Sequence, residues 1–242
     1  MSQIIAMWSG PRNLSTAMMR SFGARSDMAV LDEPFFAPFL AVSGKDHPGR
    51  LETLERHEND PIKVAKTCSA PAPNGKPFYF QKHMPHHMLP GFPLDWAKTA
   101  KHFFLIRDPL RVIASYAKGR AAFDLGDLGY QQQAMLFERL TNMTGMVPPI
   151  LDYMDILQDP KSLLMTLCDS LQIEWSEDML SWKAGRRETD GAWAPYWYSS
   201  VENSMGFSPP PKAKVDIADQ YLPILEAAEA DYQALYQRRL KP

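Results

Sequence analysis

Cysteine is nearly absent from this chain. Cys68 and Cys168 are its two thiols, and neither belongs to a C-x-x-C pair, so a disulfide scaffold and a four-ligand zinc site are both excluded. Both read as buried thiols, and a reducing, cytoplasmic location is the expectation. Glycine is scarce, at 13 residues against 21 prolines, and no repeated G-x-x unit occurs, which removes the collagen-like and low-complexity classes. The sequence has no apolar run long enough to cross a bilayer. Its opening, MSQIIAMWSGPR, has no basic stretch ahead of an apolar segment, so neither membrane insertion nor a secretory leader is expected. An excess of one charge sign is missing too: 26 Lys and Arg stand against 28 Asp and Glu. That balance argues against a nucleic-acid-coating surface and confines any anion site to a compact pocket.

What remains is an ordinary globular chain of 242 residues, 45% of them apolar, which is material for a substantial core. No composition shift marks a boundary, so residues 1–242 read as one domain. The run Gln3 to Trp8 has the β-branched and aromatic character of a buried strand and ends in a Ser-Gly-Pro break. A helix should follow, with Leu14, Met18 and Phe22 facing inward and Asn13 or Ser15 capping its first turn. Further strands are expected at Ala29 to Leu31, Pro77 to Lys82 and His102 to Arg107, with a shorter one in PPILDY. Helices are expected at Arg50 to Asn59, Leu110 to Arg120, Tyr130 to Thr144, after Asp159-Pro160, and from Val215 to Arg239. The passage SAPAPNGKP reads as loop. Strands that alternate with helices, the first and fourth of them nearly all apolar, imply a mainly parallel sheet covered on both faces. In such sheets ligands gather at the carboxyl ends of strands, where Gly10 to Thr16, Asp32 and Glu33, His83 and Arg107 all fall.

Two segments suit an anion. In WSGPRNLSTA a strand end, a tight turn, Arg12 and two hydroxyls precede a helix, so free amides and the helix dipole favour a phosphate or sulfate oxygen. The strict phosphate-loop pattern is not met, because no second glycine and lysine follow Gly10. In RDPLRVIAS, Arg107 sits at a strand end and Ser115 lies in the helix beyond. A guanidinium can fork two phosphate oxygens there while a hydroxyl takes a third.

On these residues the chain resembles the sulfotransferase family that uses 3′-phosphoadenosine 5′-phosphosulfate (PAPS). The family's first loop matches Pro11-Arg12-Asn13-Leu14-Ser15-Thr16, with Asn13 and Leu14 standing where serine and glycine are usual. Its second signature matches Arg107, Pro109 and Ser115 without a gap and implies binding of the 3′-phosphate. Its Lys-Thr-His-Leu-Pro segment corresponds to Gln81-Lys82-His83-Met84-Pro85, which makes His83 the expected catalytic base beside Lys82 and Arg12. The stretch YMDILQDPKSLLMTLCDSLQI extends the likeness, and the C-terminal basic-glycine motif has a loose echo in Arg186, Gly191 and Trp193. The resemblance implies a P-loop-like α/β three-layer sandwich. It also implies transfer of a sulfuryl group to a hydroxyl or amine of a small-molecule acceptor, with adenosine 3′,5′-bisphosphate as product. The donor would lie on Gly10 to Thr16, Arg107, Ser115, Arg186, Gly191 and Trp193.

Other readings stay open beside this one. Lys82 would keep His83 neutral by repulsion. Glu33, His86 and His87 are candidates for the acceptor site, with Glu33 either orienting an amine or pairing with Arg12. His83 and His87 have the spacing of two zinc ligands, but Pro85 and Pro90 interrupt any helix between them and no H-E-x-x-H occurs, so no metal is expected. The cluster Trp193, Tyr196, Trp197 and Tyr198 is either a base platform or core packing. The apolar stripe of the last helix, Val215, Ala218, Leu222, Leu225 and Tyr232, suits docking on the sheet or a homodimer face, leaving monomer and homodimer both open. Two rival functions are a phosphotransferase or nucleotide hydrolase with a degenerate loop, and a non-catalytic binding or scaffolding protein.

Overall fold

The apolar run near the start forms a strand, β1 (Gln3–Ser9), buried from Ile4 onward with no solvent-facing alternation, as a strand covered on both faces requires. In the computed structural model, which describes residues 2–120 and 122–241, β1 is the central strand of a five-stranded sheet. The others are β2 (Met28–Asp32), β3 (Phe78–His83), β4 (Lys101–Ile106) and β5 (Ile150–Asp152), in the order β2-β3-β1-β4-β5. Every pairing is parallel. The chain leaves β1 toward β2 and returns through β3. It then crosses to β4 on the other side of β1, so the order reverses between β1 and β4 and a crevice opens beyond their carboxyl ends.

Helices cover both faces. In chain order they are α1 (Ser15–Gly23), α2 (Phe36–Ser43), α3 (Arg50–Arg56), α4 (Pro61–Ser69), α5 (Pro109–Ala117), α6 (Leu125–Leu128), α7 (Tyr130–Thr144), α8 (Tyr153–Gln158), α9 (Pro160–Ser170), α10 (Ala194–Trp197), α11 (Ser199–Glu202) and α12 (Leu222–Tyr236). One face of the sheet, with Ala6, Trp8, Tyr79 and Phe104, packs against α4, α5, α7 and α12. The other, with Ile5, Met7, Phe80 and Phe103, packs against α1, α2, α8 and α9. This is the expected α/β three-layer sandwich. Truncating a fully buried ring such as Phe137 to alanine should cost about 3–5 kcal/mol.

Three helices open on Asp-Pro. Asp60, Asp108 and Asp159 accept from the amides of Ile62, Arg111 and Ser162 at 2.8, 3.0 and 3.0 Å. The proline that follows has no amide to leave unpaired in the first turn. The signal at Asp60 begins α4 inside the passage where no helix is expected from periodicity. Helix α2 is also unanticipated, and it tolerates Pro38 because the proline falls in its first turn.

Two expectations about helices are corrected. Leu14, not Asn13 or Ser15, is the N-cap of α1, in the left-handed region at φ 58°, and no side chain caps the turn. The last helix spans Leu222–Tyr236 rather than Val215 to Arg239, and it buries Ala228, Tyr232 and Leu235 against α7 and α5. Leu222 remains largely exposed, so the stripe is shorter than its spacing implies. Among the described residues no helix is long and apolar enough to cross a membrane.

Candidate active site

The turn after β1 is shaped by backbone. Gly10 passes so near the carbonyl of Leu128 that a Cβ would lie 3.0 Å from its oxygen, and Arg12 and Leu14 both take positive φ, 57° and 58°. Each is a strained conformation for a branched or long side chain. The turn is held by two clasps. The Asn13 side-chain amide donates to Leu105 O on β4 at 2.6 Å, and Arg107 Nη1 donates to the Arg12 carbonyl. Asn13 therefore secures the loop through its side-chain amide while lining the cavity. Because Leu14 cannot cap α1, the first-turn amides at Ser15, Thr16 and Ala17 are left open beside the cavity.

Arg12 Nε donates to Ser115 Oγ at 3.1 Å, joining the first loop to α5. The Arg107 guanidinium lies 3.9 Å above the Tyr153 ring, and its carbonyl accepts from the Tyr130 hydroxyl at 2.8 Å. Its Nε is buried without a partner. Burial lowers both guanidinium pKa values from the ordinary arginine value, so this corner concentrates cationic charge that a bound anion would relieve. The predicted grouping of Arg12, Ser15, Thr16, Arg107 and Ser115 is thus one wall of a single cavity of about 530 Å³.

The same cavity is lined by Glu33 and Lys82. Lys82 Nζ, buried, donates to Glu33 Oε1 at 2.5 Å, to Asp32 Oδ1 at 3.0 Å and to the Tyr198 phenol oxygen at 2.6 Å. Burial works against this ammonium, but Asp32 and Glu33 more than offset it and hold its pKa above the usual lysine value. Glu33 pairs with Lys82, not with Arg12. Its carboxyl is raised above the glutamate range by burial, with Lys82 opposing and Asp32 adding to the rise. The Glu33 backbone has φ 39°, a strained turn that carries the chain from β2 into α2 with its carboxylate at the cavity.

Strand alternation separates Lys82 from His83. His83 faces the other side of the sheet, stacked between Trp8 at 4.6 Å and Trp96 at 4.8 Å, with its Nε2 3.2 Å from Gln81 Oε1. It is 1% exposed and does not line the cavity. Its pKa lies well below the ordinary histidine value because of burial and then His102, not because of Lys82. The expected base and the expected repulsion by Lys82 are both corrected by this placement. His86 and His87 do border the cavity. His87 stacks on Phe36 and Phe39 at 4.7 and 4.9 Å, with its Nδ1 3.9 Å from Glu33 Oε2, and burial keeps both rings neutral, His86 being pushed down to about 4.

The C-terminal segment supplies groups that sequence reading only partly found. Trp193 lines the cavity and donates from Nε1 to the Tyr198 oxygen at 3.0 Å. Gly191 donates its amide to Asp32 Oδ2 at 3.2 Å, and a Cβ on it would fall 2.2 Å from the Trp193 ring, so only glycine fits. Arg186 lies elsewhere: it is exposed, pairs with Glu202 at 3.0 Å and does not reach the cavity, contrary to its expected donor contact. The buried bidentate pair Arg20 and Asp190, at 2.6 and 2.7 Å, ties α1 to this segment and had no sequence signal, being separated by 170 residues. Tyr198, whose hydroxyl lies 2.7 Å from Asp32 Oδ2, was readable only as one aromatic of a cluster.

Comparison with known proteins agrees with the fold. A family model described as "Sulfotransferase domain" matches residues 2–239. Two curated Arabidopsis thaliana proteins, branched-chain-amino-acid aminotransferase-like proteins 2 and 1, are each 38% identical over 229 residues, covering 92% of this chain. The match occupies only 40% and 41% of their own lengths, so the chain spans about two fifths of these relatives. Among solved structures, the sulfotransferase domain of the Synechococcus PCC 7002 olefin synthase aligns at TM-score 0.59 and 18% identity, covering 95% of this chain and 94% of that one. The sulfotransferase domain from the curacin biosynthetic pathway aligns at TM-score 0.52 and 15% identity, covering 100% and 99%. A sulfotransferase from Alicyclobacillus acidocaldarius aligns at TM-score 0.51 and 12% identity, covering 99% and 98%.

Proposed function

Since the chain belongs to the sulfotransferase-domain family, we propose that it transfers a sulfuryl group from PAPS to a hydroxyl or amine of a small-molecule acceptor. One observation carries this reading: the cationic corner of Arg12, Arg107, Ser115 and the open amides of α1 shares a single cavity with a carboxylate, Glu33. The residues suit the donor, because the partnerless Arg107 Nε and the uncapped helix start are donors awaiting an anion. When bound, PAPS supplies the activated sulfuryl group, and adenosine 3′,5′-bisphosphate is its product. Arg107 and Ser115 hold the 3′-phosphate, while Arg12, Ser15, Thr16 and the loop amides balance charge on the phosphosulfate oxygens.

Glu33 takes the acceptor's proton as the acceptor atom bonds to sulfur. It is the carboxylate that lines the same cavity as the cationic corner, and Lys82 opposes the rise in its pKa that burial causes. Neutral His86 and His87, with Phe36 and Trp193, wall the space around it. The aminotransferase-like wording belongs to relatives of which this chain spans about two fifths, and it is not carried over to this chain.

Calorimetry with adenosine 3′,5′-bisphosphate tests the donor assignment. Saturable binding in preference to ATP with Mg²⁺ is expected. No binding up to millimolar ligand, or preference for ATP with Mg²⁺, overturns it. Transfer of labelled sulfate from PAPS across a panel of small hydroxyls and amines then identifies the acceptor class.

A further inference from the structure

The polar cluster behind Glu33 is more elaborate than a base requires. The Tyr198 hydroxyl has one hydrogen and two lone pairs, and all three are used. It donates to Asp32, whose Oδ1 and Oδ2 lie at 2.9 and 2.7 Å, and it accepts from Lys82 Nζ at 2.6 Å and from Trp193 Nε1 at 3.0 Å. Asp32 accepts further from Lys82 and from the Gly191 amide. One buried ammonium is therefore shared between two carboxylates. Only Glu33 of the two borders the cavity. A buried ammonium shared in this way goes to whichever carboxylate is less well satisfied by other donors.

We propose that Tyr198 and Asp32 are positioning residues that divide the Lys82 ammonium between Asp32 and Glu33, so that Glu33 is held ionised at the cavity yet remains the member that accepts a proton. Asp32, supplied by the Tyr198 hydroxyl and the Gly191 amide, does not need the whole of Lys82, which leaves the ammonium available to Glu33. When Glu33 takes a proton, Asp32 and Lys82 remain as a neutral pair, so uptake leaves no unpaired charge in the interior. The titratable groups that face this pair are Asp32 of β2, Lys82 of β3, Tyr198 after α10, His57 after α3, which interacts with Asp32 and is lowered by burial, and His87 of the turn after β3, which is neutral. Because Gly191, Trp193 and Tyr198 follow Asp190, which is clamped to Arg20 of α1, the same segment joins the donor-binding helix to the base.

This inference rests on the reading of Glu33 as proton acceptor, but its test needs no acceptor. The side-chain carboxyl carbon of Glu33 is followed by NMR in protein labelled at glutamate, and its signal is assigned by loss in Glu33→Gln. In Tyr198→Phe, Asp32 loses a donor and draws Lys82 toward itself, and Glu33 also loses its own contact with the phenol, so the Glu33 midpoint should rise by roughly half a unit to one unit. In Asp32→Asn the competitor loses its charge, Lys82 belongs to Glu33, and the midpoint should fall by about one unit or more. Thermal melting and binding of adenosine 3′,5′-bisphosphate confirm that each variant is folded, and the opposite shifts of the two variants together decide the matter. A midpoint that stays put, or moves in the opposite direction, overturns the proposal. If Glu33→Gln retains full transfer activity while these shifts occur, the base reading fails and the positioning role of the cluster stands.

Discussion

Lys82 and His83 are neighbours in one strand, each 1% exposed, yet they live in different chemistry. Lys82 points toward α1 and meets two carboxylates, a phenol and the cavity. His83 points the other way into a stack of indoles and does not line that cavity. The side chains of a strand alternate between faces, so a one-residue step decides between a site and a core. A histidine in a functional-looking motif is therefore catalytic only if the strand's phase turns it toward the ligand, and here the phase favours the lysine.

The sharpest way to break this contrast is on the cavity side. Glu33→Gln should lower the transfer rate about 10²–10⁴-fold while binding of adenosine 3′,5′-bisphosphate persists. Steady-state kinetics and calorimetry on the same preparation check this, and undiminished turnover would return the base to another group. Next in size, Arg107→Ala removes a charged donor and the clasp on the Arg12 carbonyl, so affinity for the bisphosphate should drop about 10–100-fold. An unchanged dissociation constant would take Arg107 out of the donor wall.

On the other face, His83→Gln should alter the transfer rate by less than about threefold but destabilise the fold by about 1–3 kcal/mol through the lost ring stack. Rate loss comparable to Glu33→Gln, with stability intact, would erase the distinction between the two faces. The smallest effect concerns pH. His86 and His102 are pushed down to about 4 by burial, and His83 and His87 also lie well below the usual value. The unfolded chain protonates these rings near pH ~6.5 while the folded one does not, so stability is full above that pH and falls as pH drops toward about 4. Melting temperature should decline across this window, and less steeply in His83→Gln, which has one buried imidazole fewer. Parallel declines in both proteins would show that His83 does not contribute.

Local patterns carried much of this molecule. Apolar strand runs, Asp-Pro helix starts and the residues Arg12, Arg107 and Ser115 were all readable, because each depends on neighbours within a few positions or on a short motif. The Asp60-Pro61 start of α4 was equally readable by that rule but lay in a passage with no clear periodicity. Arg186 was misplaced because an arginine's reach is set by where its loop folds, and that loop turns it to Glu202 instead.

The sequence by itself determined the alternation of strands and helices, the parallel sheet and the residues of the cationic corner that joins the first loop to α5. These follow from side-chain periodicity, turn chemistry and the conformational limits of glycine and proline, which act locally. Tertiary structure alone decided that Lys82 rather than His83 faces the cavity, that Tyr198 meets Asp32 across 166 residues, and that Arg20 clasps Asp190 across 170. Those outcomes depend on strand phase and on which distant segment fills the space beside the sheet, and both are settled only when the whole core packs.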